Sequence, residues 1–274
     1  MTPVRRQSQP LLWLIMGAAI VIAGGGGVML LSPKPPAAPV AVARGTAADG
    51  NDQAASEPAD RIRVPIADPV PGRLPAEGAP RGWQLKEFAG QAAVEVVRND
   101  GRVAMRLRSD RASFALHRDV VVDPKAFPYL TWSWKVAQLP GAGDVRDSAR
   151  DDQAAQIYVV FPRWPSPRTA SDVLGYVWDA RAPVGTQVTH PKASNVRVIV
   201  VESGRTALDR WQRYERNIAD DYMALFGKPA PRVGKVALMV DSNDTRADAE
   251  AFVGDLFFSR TPPGRAEIPS IVLR

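Results

Sequence analysis

The chain has 274 residues and a formal net charge of +6, from 35 lysines and arginines against 29 aspartates and glutamates. It contains no cysteine, which excludes disulfides, thiolate zinc sites and a cysteine nucleophile. The basic residues are interspersed with acidic ones and form no run with interleaved aromatics, so we expect no nucleic-acid binding. There is also no Walker A motif and no dinucleotide-binding fingerprint, so we expect no nucleotide ligand.

The first predicted element is a membrane-spanning helix over residues 11–31, an uncharged apolar run that follows Arg5 and Arg6. A helix of this length crosses the roughly 30 Å hydrocarbon core of a bilayer. The positive-inside rule keeps residues 1–10 in the cytoplasm and places the rest of the chain beyond the membrane. We therefore predict a single-pass protein of the bacterial inner membrane with its C-terminal domain in the periplasm.

A cleaved secretory signal is the alternative for this segment. Residues 41–43 (AVA) have the small-x-small form of a cleavage site. The glycine run at 24–27 weakens an anchor helix, because each glycine costs about 1 kcal/mol relative to alanine. The apolar run is, however, longer than the roughly 7–15 residues of a signal core, which favours the anchor. If cleavage occurs, the protein is secreted to the periplasm.

Residues 32–80 are rich in proline and alanine and poor in large apolar side chains, a composition that predicts a disordered linker. Proline keeps such a segment partly extended, so it acts as a spacer between the membrane and the domain. Strand-like runs begin at Trp83. We place the folded domain at 81–262 and a C-terminal tail at 263–274.

Short alternating or apolar runs predict many β-strands in this domain. Residues 99–101 (NDG) predict the turn of a hairpin. Residues 129–136 (YLTWSWKV) alternate strictly, so Trp132 and Trp134 share a face with apolar neighbours. We interpret this face as core, with a sugar-stacking platform as the alternative.

Apolar residues at helical spacing predict one amphipathic helix, which Gly227 and Pro229 terminate; these residues are Leu208, Trp211, Tyr214, Ile218 and Leu225. On that helix Arg216 and Asp220 would form an i,i+4 ion pair. Many short strands with one helix predict a mainly β fold, a β-sandwich of the jelly-roll type.

Six stretches, in this order along the chain, resemble the bacterial domain-of-unknown-function family 3047 (DUF3047): TWSWKV (131–136), DDQAAQIYVVF (151–161), LGYVWD (174–179), VIVVESG (198–204), ERNIADDYMALFG (215–227) and VALMVDSNDT (236–245). The resemblance covers most of residues 82–260. It implies no activity, because the family name carries none.

The chain also resembles, more loosely, the galactose-binding-like jelly roll of carbohydrate-binding modules. The similar features are a tryptophan in the first strand, the hairpin at 99–101, the strand 129–136 and a last strand at 254–258 (GDLFF). This resemblance implies a galactose-binding-like fold and a structural calcium ion to which Asp255 contributes.

Four aspartates are the candidate catalytic residues: Asp151 and Asp152 before one buried strand, and Asp241 and Asp244 after another. Two carboxylates about 5–10 Å apart are what a glycosidase needs, which requires the two loops to share one edge of the sandwich. Asp241 and Asp244, with Asp255, are alternatively ligands of a structural calcium ion. The third interpretation is structural, with Asp244 capping a short helical turn at 246–251. We expect no other cofactor.

Two further tryptophans, Trp164 and Trp178, are candidate ligand-binding residues. Trp164 lies among prolines (PRWPSP), where an exposed aromatic and a loop-packing role are both open. The two histidines form no zinc motif: His117 alternates onto a predicted solvent face, and His190 lies in a loop. No G-x-S-x-G elbow is present.

These observations favour a non-enzymatic, membrane-tethered module that binds a glycan or another ligand of the cell envelope. A carboxylate-dependent hydrolase of envelope carbohydrate and a protein-interaction domain of an envelope complex are the alternatives. The expected partners are the inner membrane, through residues 11–31, and this envelope ligand.

Overall fold

A computed structural model describes residues 60–163 and 171–262. In chain order these residues form the strands β1 (Arg61–Val64), β2 (Ala76–Glu77), β3 (Gln84–Ala89), β4 (Ala93–Asn99), β5 (Arg102–Asp110), β6 (Ser113–Val122), β7 (Tyr129–Gln138), β8 (Ala155–Phe161), β9 (Asp172–Asp179), β10 (Gln187–Thr189), β11 (Val196–Ser203) and β12 (Gln212–Asn217), the helix α1 (Ile218–Phe226), and the strands β13 (Val233–Asp241), β14 (Asp248–Val253) and β15 (Leu256–Ser259).

The strands form two sheets. The first sheet has eight strands in the order β1-β15-β7-β14-β5-β4-β2, with β12 also paired to β7. The second sheet has seven strands in the order β10-β11-β9-β8-β13-β6-β3. The pair β9 and β11 is parallel, while the neighbouring pairs around it are antiparallel. Two sheets and one helix confirm the predicted β-sandwich class.

The main core lies between the two sheets, and aromatic rings join them. Trp132 of the first sheet stacks on Tyr176 of the second with ring centroids 5.2 Å apart. The ring centroids of Trp134 and Trp178 lie 6.5 Å apart, with the ring planes tilted by 48°. All four side chains are at most 1% exposed. The interpretation of Trp132 and Trp134 as core residues is therefore confirmed.

The central strands of the second sheet are buried on both faces. Every residue of β8 and β9 is buried, in keeping with their nearly continuous apolar runs. A second apolar cluster covers the face away from the main core, and it takes Val145, Ala182 and Ala193 from the surrounding loops. These loops therefore form a third layer over the second sheet.

The strand β7 and the hairpin before it follow the sequence prediction. Leu130, Trp132, Trp134 and Val136 are all buried in the main core. The hairpin joins β4 to β5 with Asn99 opposite Arg102. Its two turn residues, Asp100 and Gly101, have φ angles of 49° and 76°. Two successive positive φ values are typical of a type I′ turn.

The helix prediction is wrong over its first half. Residues Gln212–Asn217 form the strand β12, which pairs antiparallel with β7. The helix begins at Ile218, where Asn217 Oδ1 accepts hydrogen bonds from two helix amides. It ends at Gly227, with a φ of 69°, as predicted. Tyr214 fits the apolar spacing of a helix, but it packs on Trp132 from a strand, with ring centroids 5.4 Å apart.

The ion pair predicted on this helix is also different. Arg216 lies at the end of β12 and donates its Nε to Asp221 Oδ2 at 2.8 Å, and Asp220 is not its partner. Asp221 also accepts from the hydroxyl of Tyr176 at 2.7 Å. The pair therefore fastens the start of α1 to both sheets.

The folded domain begins about twenty residues before the predicted boundary at 81. Strand β1 pairs with β15, and Val64 and Ile66 are each 1% exposed. Trp83 Nε1 donates to Pro65 O at 3.0 Å, which ties this segment to the next one. The last part of the predicted 32–80 linker thus belongs to the domain. Its strand RIRV lies at the edge of a sheet, where few apolar residues are needed.

His117 was expected on a solvent face, but it is only 4% exposed. Strands β3 and β13 flank β6 on either side, so Gln84 and Ala237 lie opposite His117. Burial lowers the pKa of His117, and the nearby charge of Lys235 lowers it further.

Within the ranges 60–163 and 171–262, no helix is long and apolar enough to cross a bilayer. The predicted membrane helix at 11–31 and the C-terminal tail at 263–274 lie outside the described residues.

Candidate functional site

The four candidate aspartates lie together at one end of the second sheet. Asp151 and Asp152 precede β8, and Asp241 ends β13. These strands are antiparallel neighbours, so the start of β8 lies beside the end of β13. The amide of Asp241 donates to Gln153 O at 3.0 Å. The two acidic segments therefore share one edge of the sandwich, as a joint role requires.

Asp152 is fully buried and holds the loop that follows β13. Its Oδ1 accepts from Asp244 N at 3.0 Å, and its Oδ2 accepts from the amide and the hydroxyl of Thr245 at 2.6 and 2.5 Å. The turn is thus capped from another loop, and the chain continues into β14 instead of the helical turn expected at 246–251. With both oxygens engaged, Asp152 is not free to act as a general acid or base.

Asp151 lies within ion-pair distance of two residues that sequence analysis did not link to it. His190 Nε2 lies 2.9 Å from Asp151 Oδ2, and both side chains are at most 1% exposed. Lys192 Nζ lies 3.5 Å from the same oxygen and 2.5 Å from Asp244 Oδ2. Lys192 thus places a positive charge between two carboxylates. We call Asp151, Asp152, Asp241, Asp244, His190 and Lys192 the buried polar cluster.

Burial and neighbouring charges shift the pKa values of Asp241, Asp244 and Lys192. Burial raises the pKa of Asp241 well above its usual range, and the charges of Asp152 and Asp151 raise it further. Burial also raises the pKa of Asp244, against the opposing effect of Lys192. Burial alone would lower the pKa of Lys192, but the neighbouring carboxylates outweigh it and raise that pKa.

A second buried aspartate connects loops on the same side of the sheet. Asp179 accepts hydrogen bonds from the amides of Val145, Arg181 and Ala182 at 2.7 to 2.8 Å. A Cβ on Gly143 would lie 2.0 Å from Asp152 O, so the covering loop needs glycine to approach this closely. The acids on this side therefore act as internal fasteners of loops.

Asp241 and Asp244 lie in the buried polar cluster, but Asp255, the third predicted calcium ligand, does not. In the described ranges, no group of three or more His, Cys, Asp or Glu side chains is arranged to hold a metal ion. Asp255 lies between two strands of the first sheet, where its carboxylate accepts from Arg63 Nε at 2.7 Å and from Ile66 N at 2.9 Å. Its role is to fasten the N-terminal strand, so Asp241, Asp244 and Asp255 do not fit a shared calcium ion.

The two candidate tryptophans give different outcomes. Trp178 is completely buried, and its Nε1 donates to Gly204 O at 3.0 Å. It offers no surface to a ligand, so its assignment as a binding residue is wrong in this structure. Trp164 lies outside the described residues.

The outer face of the first sheet carries a groove that sequence analysis did not identify. We call it the outer groove; its volume is about 420 Å³, and it is lined by Leu74, Pro75, Glu95, Val97, Arg98, Asn99, Arg106 and Phe252. Strand register places Glu95 opposite Arg106, Arg106 opposite Phe252, and Phe252 opposite Lys135. One cross-strand row thus aligns an acid, a base, an aromatic ring and a second base, of which Phe252 and Lys135 are each only 7% exposed.

Ion pairs hold this row in place. Arg106 Nε lies 2.7 Å from Glu250 Oε1, and its Nη1 lies 3.2 Å from Glu95 Oε2. Arg106 and Lys135 both approach the Phe252 ring, at 5.7 and 5.0 Å from its centroid. Asn99 lines the same groove, and its buried Oδ1 has no hydrogen-bond partner in the described part of the chain.

A partly buried tryptophan borders this region. Trp211 packs against the apolar patch of Val97, Ala104 and Phe252 on this outer face. Its Nε1 donates to Asp100 Oδ2 at 3.2 Å, and the Arg102 guanidinium lies 5.3 Å from its ring centroid. An indole ring and planar polar groups therefore lie beside the outer groove. The residues come from five segments distant in sequence, so no single motif reveals them.

Several solved structures are similar to this chain at low identity. The family 11 carbohydrate-binding module of the cellulosomal cellulase Lic26A-Cel5E of Clostridium thermocellum is 7% identical, with 73% of this chain and 95% of that chain covered and a TM-score of 0.36. The glycoside hydrolase domain of Endo-D from Streptococcus pneumoniae R6 is 9% identical, with 65% and 22% covered and a TM-score of 0.35. A variant of the family 29 module CBM29-2 is 9% identical, with 74% and 93% covered and a TM-score of 0.33.

No curated protein matches the sequence significantly. The family model described as "Protein of unknown function (DUF3047)" matches residues 81–257, which is more than half of the chain. The chain therefore belongs to the DUF3047 family.

Proposed function

We propose that this protein is a non-catalytic, glycan-binding β-sandwich module whose ligand lies in the outer groove. The observation that carries the proposal is the cross-strand row of Glu95, Arg106, Phe252 and Lys135 beside a groove of about 420 Å³. Ligand sites in proteins commonly have volumes of about 300–1,000 Å³, with apolar walls and a few placed polar groups. We also propose that the two sheets have the jelly-roll topology that the sequence predicts.

The groups at the outer groove suit the chemistry of a sugar. A sugar ring has apolar C–H faces, which pack on aromatic rings such as Trp211, and an edge of hydroxyls. Each hydroxyl donates one hydrogen bond and accepts others. Carboxylates such as Glu95 accept from hydroxyls, while guanidinium groups such as Arg106 donate to them. The amide of Asn99 can do both.

The hydrolase alternative is supported less well. Its candidate acids converge, as it requires, but Asp151 and Asp152 are fully buried and Asp152 has both oxygens in hydrogen bonds. A substrate bond has to come within hydrogen-bond reach of the catalytic groups. Asp151, Asp152 and Asp241 offer no such access in this structure, and the partly exposed Asp244 is paired with Lys192.

We further propose that residues 11–31 tether the module to the inner membrane and that residues 32–59 hold it in the periplasm. The support is the sequence pattern alone: an apolar run of membrane-spanning length with arginines on its N-terminal side. Strand β1 begins at Arg61, so the proposed spacer ends before that residue.

Binding is tested by incubating the full-length protein with a glycan array and measuring the strongest glycan by calorimetry. Trp211→Ala should weaken this binding at least tenfold, about 1.4 kcal/mol. Asn99→Ala is a second groove variant for the case that loss of Trp211 unfolds the protein. Met223→Ala is the matched control, because Met223 is a 46% exposed apolar residue on α1. Binding to no glycan, or equal affinity of all four proteins, would overturn the proposal.

The location is tested separately by cysteine labelling, because the chain has no cysteine of its own. A Lys86→Cys variant should react with a membrane-impermeant maleimide in intact spheroplasts. Labelling only after lysis contradicts the periplasmic location. The mass of the purified protein distinguishes a retained anchor from cleavage after residue 43.

A further inference from the structure

Basic groups outnumber acidic ones around the outer groove. Arg98 and Arg106 line it, Arg108 contacts the lining residue Glu95, Lys135 faces Phe252, and Arg102 faces Trp211. The acidic groups of the same region are Glu95, Glu250, Asp100 and Glu77, which lies opposite Glu95. Five cations therefore surround four carboxylates.

Three of these carboxylates already have a cation beside them. Glu95 lies 3.2 Å from Arg106 and 3.7 Å from Arg108. Glu250 lies 2.7 Å from Arg106, and Asp100 lies 2.8 Å from Lys135. A small positive excess of charge therefore remains in this region after the internal ion pairs are formed.

The surplus is accessible at two guanidinium groups. Arg98 is exposed, and in the described part of the chain it has a backbone partner, Gly101 O at 3.4 Å, but no carboxylate. The Arg108 side chain is 46% exposed, and its contact to Glu95 is too long for a hydrogen bond. A guanidinium is planar and always charged, and it binds carboxylate or sulfate oxygens in pairs.

We propose that the ligand of the outer groove is an anionic glycan, one that carries carboxylate or sulfate groups along a hydroxyl-rich chain. This inference rests on the proposed glycan-binding function and specifies its ligand class. Arg98 and Arg108 bind the acidic groups, while Glu95 and Asn99 bind the hydroxyls between them. A nucleic acid fits less well, because Glu95 and Glu250 stand among the basic groups and repel closely spaced phosphates.

The experiment compares polymers with the same backbone and different charge, using the full-length protein and calorimetry at low salt. Polygalacturonate should bind at least tenfold more tightly than its methyl ester, and added salt should weaken only the acidic polymer's binding. Heparin and its desulfated form make the same comparison for sulfate. Arg98→Ala and Arg108→Ala should each lower the ratio of the affinity for the acidic polymer to the affinity for the neutral one. Lys86→Ala, an exposed cation of the second sheet, is the control.

The outcomes separate this inference from the proposed function. If neutral and acidic polymers bind equally, the anionic-ligand inference is overturned and the glycan-binding function stands. If neither binds and the array is also empty, both are overturned. Arginine-dependent binding to duplex DNA or to anionic vesicles as tight as to the acidic polymers overturns the assignment of the ligand as a glycan.

Discussion

The buried polar cluster and the outer groove are both rich in charged side chains, but they differ in solvent access. Asp151 and Asp152 are completely buried, whereas the side chains of Arg106 and Glu250 are 30% and 19% exposed. In the buried polar cluster, the charged side chains bind backbone amides and one another, and these contacts hold the loops in place. In the outer groove, a surplus of charge faces solvent. Density of charge alone therefore does not distinguish a region that a ligand can reach from an internal one, while solvent exposure does.

The largest expected effect concerns Asp152 in the buried polar cluster. Asp152→Ala should lower the free energy of unfolding by about 3 kcal/mol, because it leaves three donors of the following loop without their acceptor. Urea denaturation followed by tryptophan fluorescence measures it. The control is Asp123→Ala, since Asp123 accepts from the exposed amide of Lys125. Equal losses of unfolding free energy in the two variants would show that the buried Asp152 stabilises the protein no more than Asp123 does.

Asp241→Asn should stabilise the protein at neutral pH. Burial and the charges of Asp152 and Asp151 raise the pKa of Asp241, so the folded state favours its protonated form. The stability that Asp241 provides below about pH 4 is therefore lost as the pH rises through the raised pKa. Asparagine does not ionise and avoids this loss, which is about 1.4 kcal/mol for each pH unit between the folded and unfolded pKa values.

Urea denaturation at several pH values checks this prediction. The gain of Asp241→Asn over the wild type should be present at pH 8 and should disappear near pH 4. The same substitution at the partly exposed Asp123 serves as the control. A gain that does not change with pH would show that ionisation of Asp241 is not its cause.

The smallest expected effect concerns the ion pair of the outer groove. Glu250→Gln should cost about 0.5–1 kcal/mol of stability, because partly exposed ion pairs contribute little. The cost should shrink further at 1 M salt, which reduces the Debye length to about 3 Å. Denaturation at low and high salt measures both values. A cost as large as that of Asp152→Ala would place this pair in the same class as the buried polar cluster.

Local patterns predicted the strands well and the helix only in part. Strict alternation identified β7 and its core face, and the NDG turn identified the hairpin, because both depend on neighbours in sequence. Leu208, Trp211 and Tyr214 matched helical spacing by coincidence. Strand β7 competes for the segment 212–217, and its backbone pairing with that segment decides the outcome.

The candidate site was predictable only as a set of parts. The aspartates at the strand ends could be picked out, and their convergence follows from the antiparallel pairing of β8 and β13. Their partners His190 and Lys192 could not be found, since they belong to a loop about forty residues away. The outer groove left no signal, because its members alternate with core residues on separate strands.

By itself, the sequence determined the class of the fold, the family resemblance and the core role of Trp132 and Trp134. These depend on periodicity and on contiguous motifs, which a linear chain displays directly. Only the tertiary structure decided which acids are buried, that Trp178 is covered, and that Glu95, Arg106, Phe252 and Lys135 form one row. Burial and cross-strand contact depend on the register between strands distant in sequence, and each strand's own residues do not specify that register.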